Sequence, residues 1–255
     1  MTEITTTHST SITCPAMLDR RVPPSIEEAP LSRFMRTLGE FDESKDCLRK
    51  FLAQMFVIRE SKGEARVVAE RFIHDCFSRA YGANVTSYMP QLFELLTRRG
   101  ELTAVFGVRS AAQGPLFLET YLAAPIEDVL EQKLGARPPR ARIVEIGNLA
   151  AIYPGAVRWL IVALTVHLYR EGYEWVVFTA TAELKNGLRR FGLRPIPLAR
   201  ADVALLGPEQ RAAWGSYYDT QPTVMAGNIS HVFHELETHF EIPDVTGVDS
   251  MEVDR

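Results

Sequence analysis

At 255 residues, 46% of them hydrophobic, the chain holds enough apolar material for one sizeable core, or for one domain with a small helical extension. The formal net charge of -4, with both signs interspersed, excludes the basic stripe of a nucleic-acid binder. No positive segment followed by an apolar run opens the chain, and no apolar stretch approaches the ~20 residues of a membrane span, so a cytoplasmic protein without stable membrane insertion is expected.

The three cysteines, Cys14, Cys47 and Cys76, contain no CxxC pair, and the histidines show no metal-ligand spacing. Neither a disulfide framework nor a metal site is expected. Residues 1–30, rich in Thr, Ser and Pro, predict a disordered arm. Residues 31–62 predict a helical extension, because Phe34, Leu38, Phe41, Leu48, Leu52 and Met55 recur at helical spacing. Gly63 breaks that pattern and opens the main domain, 63–236, leaving 237–255 as an acidic flexible tail.

Within the domain, residues 65–69 read as a short strand running into a helix that stops at Gly82. A short helix follows near 90–98, then a strand after Gly100 in ELTAVFGVRS. The Gly114–Pro115 break introduces LFLETYL, read as a second strand that pairs with the first as a hairpin. Residues 125–134 open with Pro and early acids, as a helix N-terminus prefers.

The β-rich run ARIVEIGNLA (141–150) leads through a Tyr-Pro-Gly turn into a nearly all-apolar helix that ends at Gly172. Then come the strand YEWVVFTAT, the helix ELKNGLRRF, a stop at Gly192 and a short strand near PIPLARA. This alternation predicts crossover connections and at least one parallel strand pair in an α/β, mixed-sheet fold. The apolar helix should pack deep against that sheet. A loop, GPEQRAAWGSYY, precedes a final strand around Thr223–Ile229.

Four pieces together carry a resemblance: PLFLETYLAAPIE (115–127), RIVEIGNLA (142–150), WVVFTATAELKNGLRRFGLRP (175–195) and WGSYYDTQPTV (214–224). From about Arg71 to Ile229 the chain resembles the thermostable haemolysin family of bacterial proteins. That family is similar to the GCN5-related N-acetyltransferase (GNAT) superfamily and, within it, to the acyl-homoserine-lactone synthases. The resemblance implies a GNAT-like acyltransferase fold, a splayed mixed sheet with an acyl donor entering between two parallel strands. It implies acyl-CoA or acyl-acyl carrier protein as donor, a small-molecule amine or amino acid as acceptor, and no metal.

Several residues fit that chemistry. Glu145 is a charge in the middle of an apolar strand and a candidate base for the amine; the plainer reading is an ion pair with Arg142 or Arg158. Gly147 marks a bulge or a close approach, and backbone from Gly147 to Leu149 is a candidate oxyanion site. By position, Glu145 corresponds to the glutamate on the same strand of the lactone synthases, where Ser-Arg follows; here Gly-Asn follows, which implies different acceptor contacts. Asn148 either orients substrate or caps the strand end.

Gly155 and Arg158 open the helix that would face the donor's pyrophosphate, although AIYPGAVR lacks the superfamily's Gly-rich loop. Thr179 and Thr181 share a strand face and could offer hydroxyls to the pantetheine arm, and Asn186 matches an asparagine that contacts the donor. All three also read as ordinary strand or surface residues. Glu119, inside LFLETYL, either faces the acceptor or points to solvent. Arg189, Arg190 and Arg194 would face an acidic carrier protein or simply water. The helix after the threonines has Leu188 and Phe191 where many acetyltransferases carry an acid tyrosine, so the proton donor to the thiolate is unassigned. A membrane-lysing protein and an inactive thioester-binding module are the competing readings, and a homodimer is left open.

Overall fold

The computed structural model describes residues 56–239, except positions 153 and 191 and the side chains at 154–159 and 235–239. The expected arm, the expected helices over 31–55, Cys14, Cys47 and the tail beyond 239 lie outside the described residues.

Seven strands form one mixed sheet in the order β1-β2-β3-β4-β5-β7-β6. They are β1 (Phe56–Glu60), β2 (Gln91–Thr97), β3 (Leu102–Ser110), β4 (Ile143–Ala151), β5 (Trp175–Ala180), β6 (Ile196–Arg200) and β7 (Thr223–Asn228). All neighbours run antiparallel except β4 and β5, the expected parallel pair. The helices are α1 (Glu64–Tyr81), α2 (Ile126–Leu134), α3 (Pro154–Arg170), α4 (Ala182–Arg190), α5 (Pro208–Ala213) and α6 (Ile229–His239). The expected mixed α/β fold is therefore present.

Strand alternation sorts side chains to the two faces of the sheet. Leu92, Val105 and Ala150 pack under α1 with Ala69 and Ile73. On the opposite face Phe93, Leu95, Phe106, Val144 and Ile146 pack with Leu160 and Leu168 of α3 and Ile229 of α6. A third cluster joins Leu116, Leu118, Ile126 and Leu130 to Ile143, Val177 and Val224, seating α2 and the segment before it on the sheet.

Five local expectations are corrected. Residues 56–60, read as helix, pair antiparallel with β2 as a strand. Residues 65–69, read as a strand, are the first turns of α1: Ala69 and Ile73, four apart, form its buried stripe, while Val67 and Val68 face solvent. The helix stops at Gly82 as expected, in a left-handed conformation (φ 63°) that glycine adopts without penalty. Residues 91–97, read as helix, form β2, whose five central residues are buried between the two helical layers; propensity favours helix for QLFELLT, but a run buried on both faces suits a central strand. Residues 117–121, read as a strand, form a 3-10 turn, and β3 pairs instead with β2 and β4. Residues 208–213 and 217–220, read as loop, are α5 and a second 3-10 turn. The apolar helix α3 does pack on the sheet, but only Leu160, Val166 and Leu168 of its described side chains are fully buried.

Candidate active site

Strands β4 and β5 stay in register from Ile143–Trp175 to Ile146–Phe178 and then part. Beyond that point β4 continues paired only with β3, and β5 only with β7. The separation opens a cleft of about 2400 Å³, lined by both strands, α1, α3, α4 and the segment around Trp214. Past Ile146 the β4 edge away from β3 has no paired strand, and residues 147–149 line this cleft.

The β3–β4 register slips at the same place. Val105 pairs with Ala150 and Gly107 with Gly147, so Asn148 and Leu149 together oppose Phe106. This is a β-bulge, and Asn148 takes a left-handed φ of 50°, which asparagine tolerates. Its side-chain oxygen accepts from Met89 N at 2.8 Å, and its amide donates to Ser87 O at 3.4 Å. Asn148 thus latches the segment before β2 across the bulge. A Cβ on Gly107 would lie 2.5 Å from Met89 Cβ, and one on Gly147 2.4 Å from Met89 Cε. Both glycines are bare because the Met89 side chain lies flat upon them.

Next along the same face, Glu145 stands opposite Arg109 on β3. Its side chain is buried, 3% exposed, on the wall of the cleft. Of the two partners expected from sequence, Arg142 is engaged elsewhere. Arg142 donates to Gly172 O and lies 3.8 Å from Glu174, and the Arg158 side chain is outside those described. Instead Glu145 accepts from two backbone amides of the 3-10 turn, Phe117 N to Oε2 and Leu118 N to Oε1, both at 2.9 Å. Burial pushes its carboxyl above the usual carboxylate range, outweighing those two bonds and the field of Arg109, both of which act downward.

Glu119 is outside the cleft-lining set. Its carboxylate accepts from Leu116 N at 2.7 Å, Ile126 N at 2.8 Å and Arg140 at 2.8 Å, so it neither faces an acceptor nor points to free solvent. The correction follows from the turn: residues on a 3-10 turn do not alternate between faces as strand residues do.

Thr179, Thr181, Asn186 and Leu149 all line the cleft, Thr179 from β5 and Thr181 from just beyond its end. Thr181 is buried, and its hydroxyl oxygen accepts from Leu184 N, capping α4. Leu149 also packs against the core beneath α3. Gly155 falls in the first turn of α3. Lys185, Arg189, Arg190 and Arg194 line one side of the opening.

Sequence reasoning missed an aromatic wall. Phe77 and Tyr81 of α1, Phe117 and Tyr121 of the turn, and Trp214, Tyr217 and Tyr218 line the cleft around Glu145. Their rings meet tilted or edge to face, Tyr81 and Tyr217 edge to face with ring centres 5.2 Å apart. The Tyr121 and Tyr218 hydroxyls hydrogen-bond to each other. Burial pushes the Tyr81, Tyr121, Tyr217 and Tyr218 hydroxyls above the usual tyrosine range, so they remain protonated. The signal was present in the aromatic density of WGSYY and in Arg109, a charge ending an apolar strand. Among the described residues, no group of three or more His, Cys, Asp or Glu is placed to hold a metal, and no helix is long and apolar enough to cross a membrane.

Several solved structures align with the chain. FeeM, an N-acyl amino acid synthase from uncultured soil microbes, aligns at a TM-score of 0.48 and 13% identity over 72% of this chain and 94% of its own. The AHL synthase LasI aligns at 0.46 and 12% over 69% and 91%. A GCN5-related N-acetyltransferase from Kribbella flavida aligns at 0.41 and 11% over 69% and 99%. No curated protein matches the sequence. The model of the thermostable hemolysin family matches residues 59–233, which span β2 to β7 and every cleft residue named above. The chain belongs to the thermostable hemolysin family.

Proposed function

We propose that the protein is an N-acyltransferase that moves an acyl group from an acyl thioester to the amine of a small molecule or amino acid. The observation that carries this reading is the placement of Glu145: a buried carboxylate on a cleft wall, beside a strand edge left open by two diverging parallel strands. Glu145 takes a proton from the acceptor amine, and its raised proton affinity suits a base. Backbone from Gly147 to Leu149 holds the thioester oxygen as negative charge develops there. The amine nitrogen bonds to the carbonyl carbon, the C–S bond breaks, and the thiolate leaves to take a proton from solvent.

Thr179, Thr181 and Asn186 line the donor side, and Thr181 keeps its hydroxyl proton to donate while it caps α4. Lys185, Arg189, Arg190 and Arg194 offer positive charge to CoA phosphates or to an acidic acyl carrier protein. Gly155 and Arg158, at the start of α3, are assigned to the donor pyrophosphate. Glu119 drops out of the substrate-contacting set, because it is outside the cleft lining and engaged by protein groups, while Asn148 lines the cleft and holds the bulge. A lytic effect would be indirect, through an acylated, amphiphilic product.

The test is incubation of the purified chain with acyl-CoA and acyl-carrier thioesters plus pooled amines and amino acids, followed by mass spectrometry. A new amide made by the wild type and not by Glu145→Gln is the expected result. An amide made equally well by both removes Glu145 as base, and no amide from any pair sinks the acyltransferase reading.

A further inference from the structure

Strand β4 alone does not place the Glu145 carboxylate. Each of its oxygens is fixed by one amide of the 117–121 turn, so the position of that turn sets the position of the carboxylate. The turn is itself held from behind. Glu119 closes it by accepting from Leu116 N and joins it to α2 by accepting from Ile126 N. Arg140, three residues before β4, then reaches Glu119 with Nη1 at 2.8 Å and Nη2 at 3.4 Å. Its Nη1 also donates to Glu127 of α2, and its Nε and Nη2 donate to Ala111 O and Gly114 O, both at 2.9 Å.

These are five contacts from a group that has five N–H donors in a fixed planar fork. One guanidinium therefore ties together the chain entering the turn, the turn and the helix leaving it. Neither Arg140 nor Glu119 lines the cleft. A brace this complete could serve stability alone, but its rigid end is the pair of amides that grips Glu145.

We infer that Arg140 is a positioning residue for the Glu145 carboxylate, acting through the Glu119-braced turn and without touching substrate. The functional consequence rests on the reading of Glu145 as base. Around Glu145, β3 presents Arg109, the turn presents Glu119 and Tyr121, and β5 presents Val177, which does not titrate. Arg109 acts downward on the carboxyl and Glu119 upward. Loss of Arg140 loosens the two amide bonds and leaves the Glu119 charge uncompensated, and both changes raise the proton affinity of Glu145.

The experiment is a carboxyl ¹³C NMR titration of the full chain in wild type, Arg140→Gln and Arg140→Lys, with Glu145→Gln to assign the signal. The pH profile of kcat/KM is recorded alongside. The Glu145 midpoint is expected to rise by about one pH unit in Arg140→Gln. A smaller rise is expected in Arg140→Lys, which keeps the charge and loses the fork. The acid limb of kcat/KM should move with the midpoint. An unchanged midpoint in folded Arg140→Gln overturns the inference whatever the activity does. A midpoint that moves while the acid limb stays supports the positioning role and removes Glu145 as base. If Arg140→Gln does not fold, Arg140→Lys, which keeps the charge and loses the fork, must show the rise, and its failure to do so overturns the inference equally.

Discussion

Two glutamates close together in the fold are bound in the same way and end in opposite states. Glu119 and Glu145 each accept two backbone amides from the segment between residues 116 and 126. Burial pushes both carboxyls upward. At Glu119 that push loses to the Arg140 guanidinium and to the Ile126 and Leu116 amides, and the carboxyl is held below the usual range. At Glu145 burial wins: Arg109 acts through space, and among the described residues no side-chain donor replaces water. Amide bonds position a carboxylate, and the presence or absence of a contacting cation decides whether it serves as a brace or can take a proton.

The largest effect should come from the reactive member of the pair. Glu145→Gln is expected to lower kcat/KM by about 10²- to 10⁴-fold, the usual contribution of a general base. A variant with full turnover would erase the proposed contrast. Glu119→Leu should do the reverse in kind and cost about 3 kcal/mol of folding stability in urea denaturation, because it removes one carboxylate partner of Arg140 and leaves two backbone amides without their acceptor.

Acid should separate the two carboxylates further. The folded-state pKa of Glu119 is depressed, so its stabilisation is present above the unfolded value and is lost as pH falls through the folded one. The folded-state pKa of Glu145 is raised, so its contribution is complete below the unfolded value and is lost as pH rises through the folded one. A tenfold difference in proton affinity between the folded and unfolded chain corresponds to about 1.4 kcal/mol of stability. Melting curves against pH should therefore show wild type losing its advantage over Glu119→Gln on acidification and gaining on Glu145→Gln. Parallel curves for both variants would contradict the assignment.

The smallest effect sharpens the geometry beside Glu145. Gly107→Ala should cost about 1–3 kcal/mol, because its Cβ meets Met89 Cβ and Cγ next to a backbone clamped by Asn148 and Arg66. Gly147→Ala meets only the terminal methyl of the same side chain and should cost less. Thermal melts of the two variants read the difference directly.

Local chemistry made much of this protein legible from residue order. The alternating apolar runs in β3, β4, β5 and β7, the glycine stop at Gly82 and the strand–helix–strand rhythm after residue 141 identified the sheet and its parallel pair. A glutamate inside an apolar strand identified Glu145, because a buried charge needs a reason wherever it falls. What the sequence could not decide depended on neighbours distant along the chain. The run QLFELLT became a strand because both of its faces are covered, by α1 and by α3, which local propensity does not register. The partners of Glu119 and Asn148, Arg140 and Met89, came only with the fold. The aromatic wall likewise joins α1, the 117–121 turn and the segment around Trp214, three pieces that only the tertiary structure brings to one cleft. Periodicity and charge are properties of a segment, whereas hydrogen-bond partners and burial belong to the packed whole.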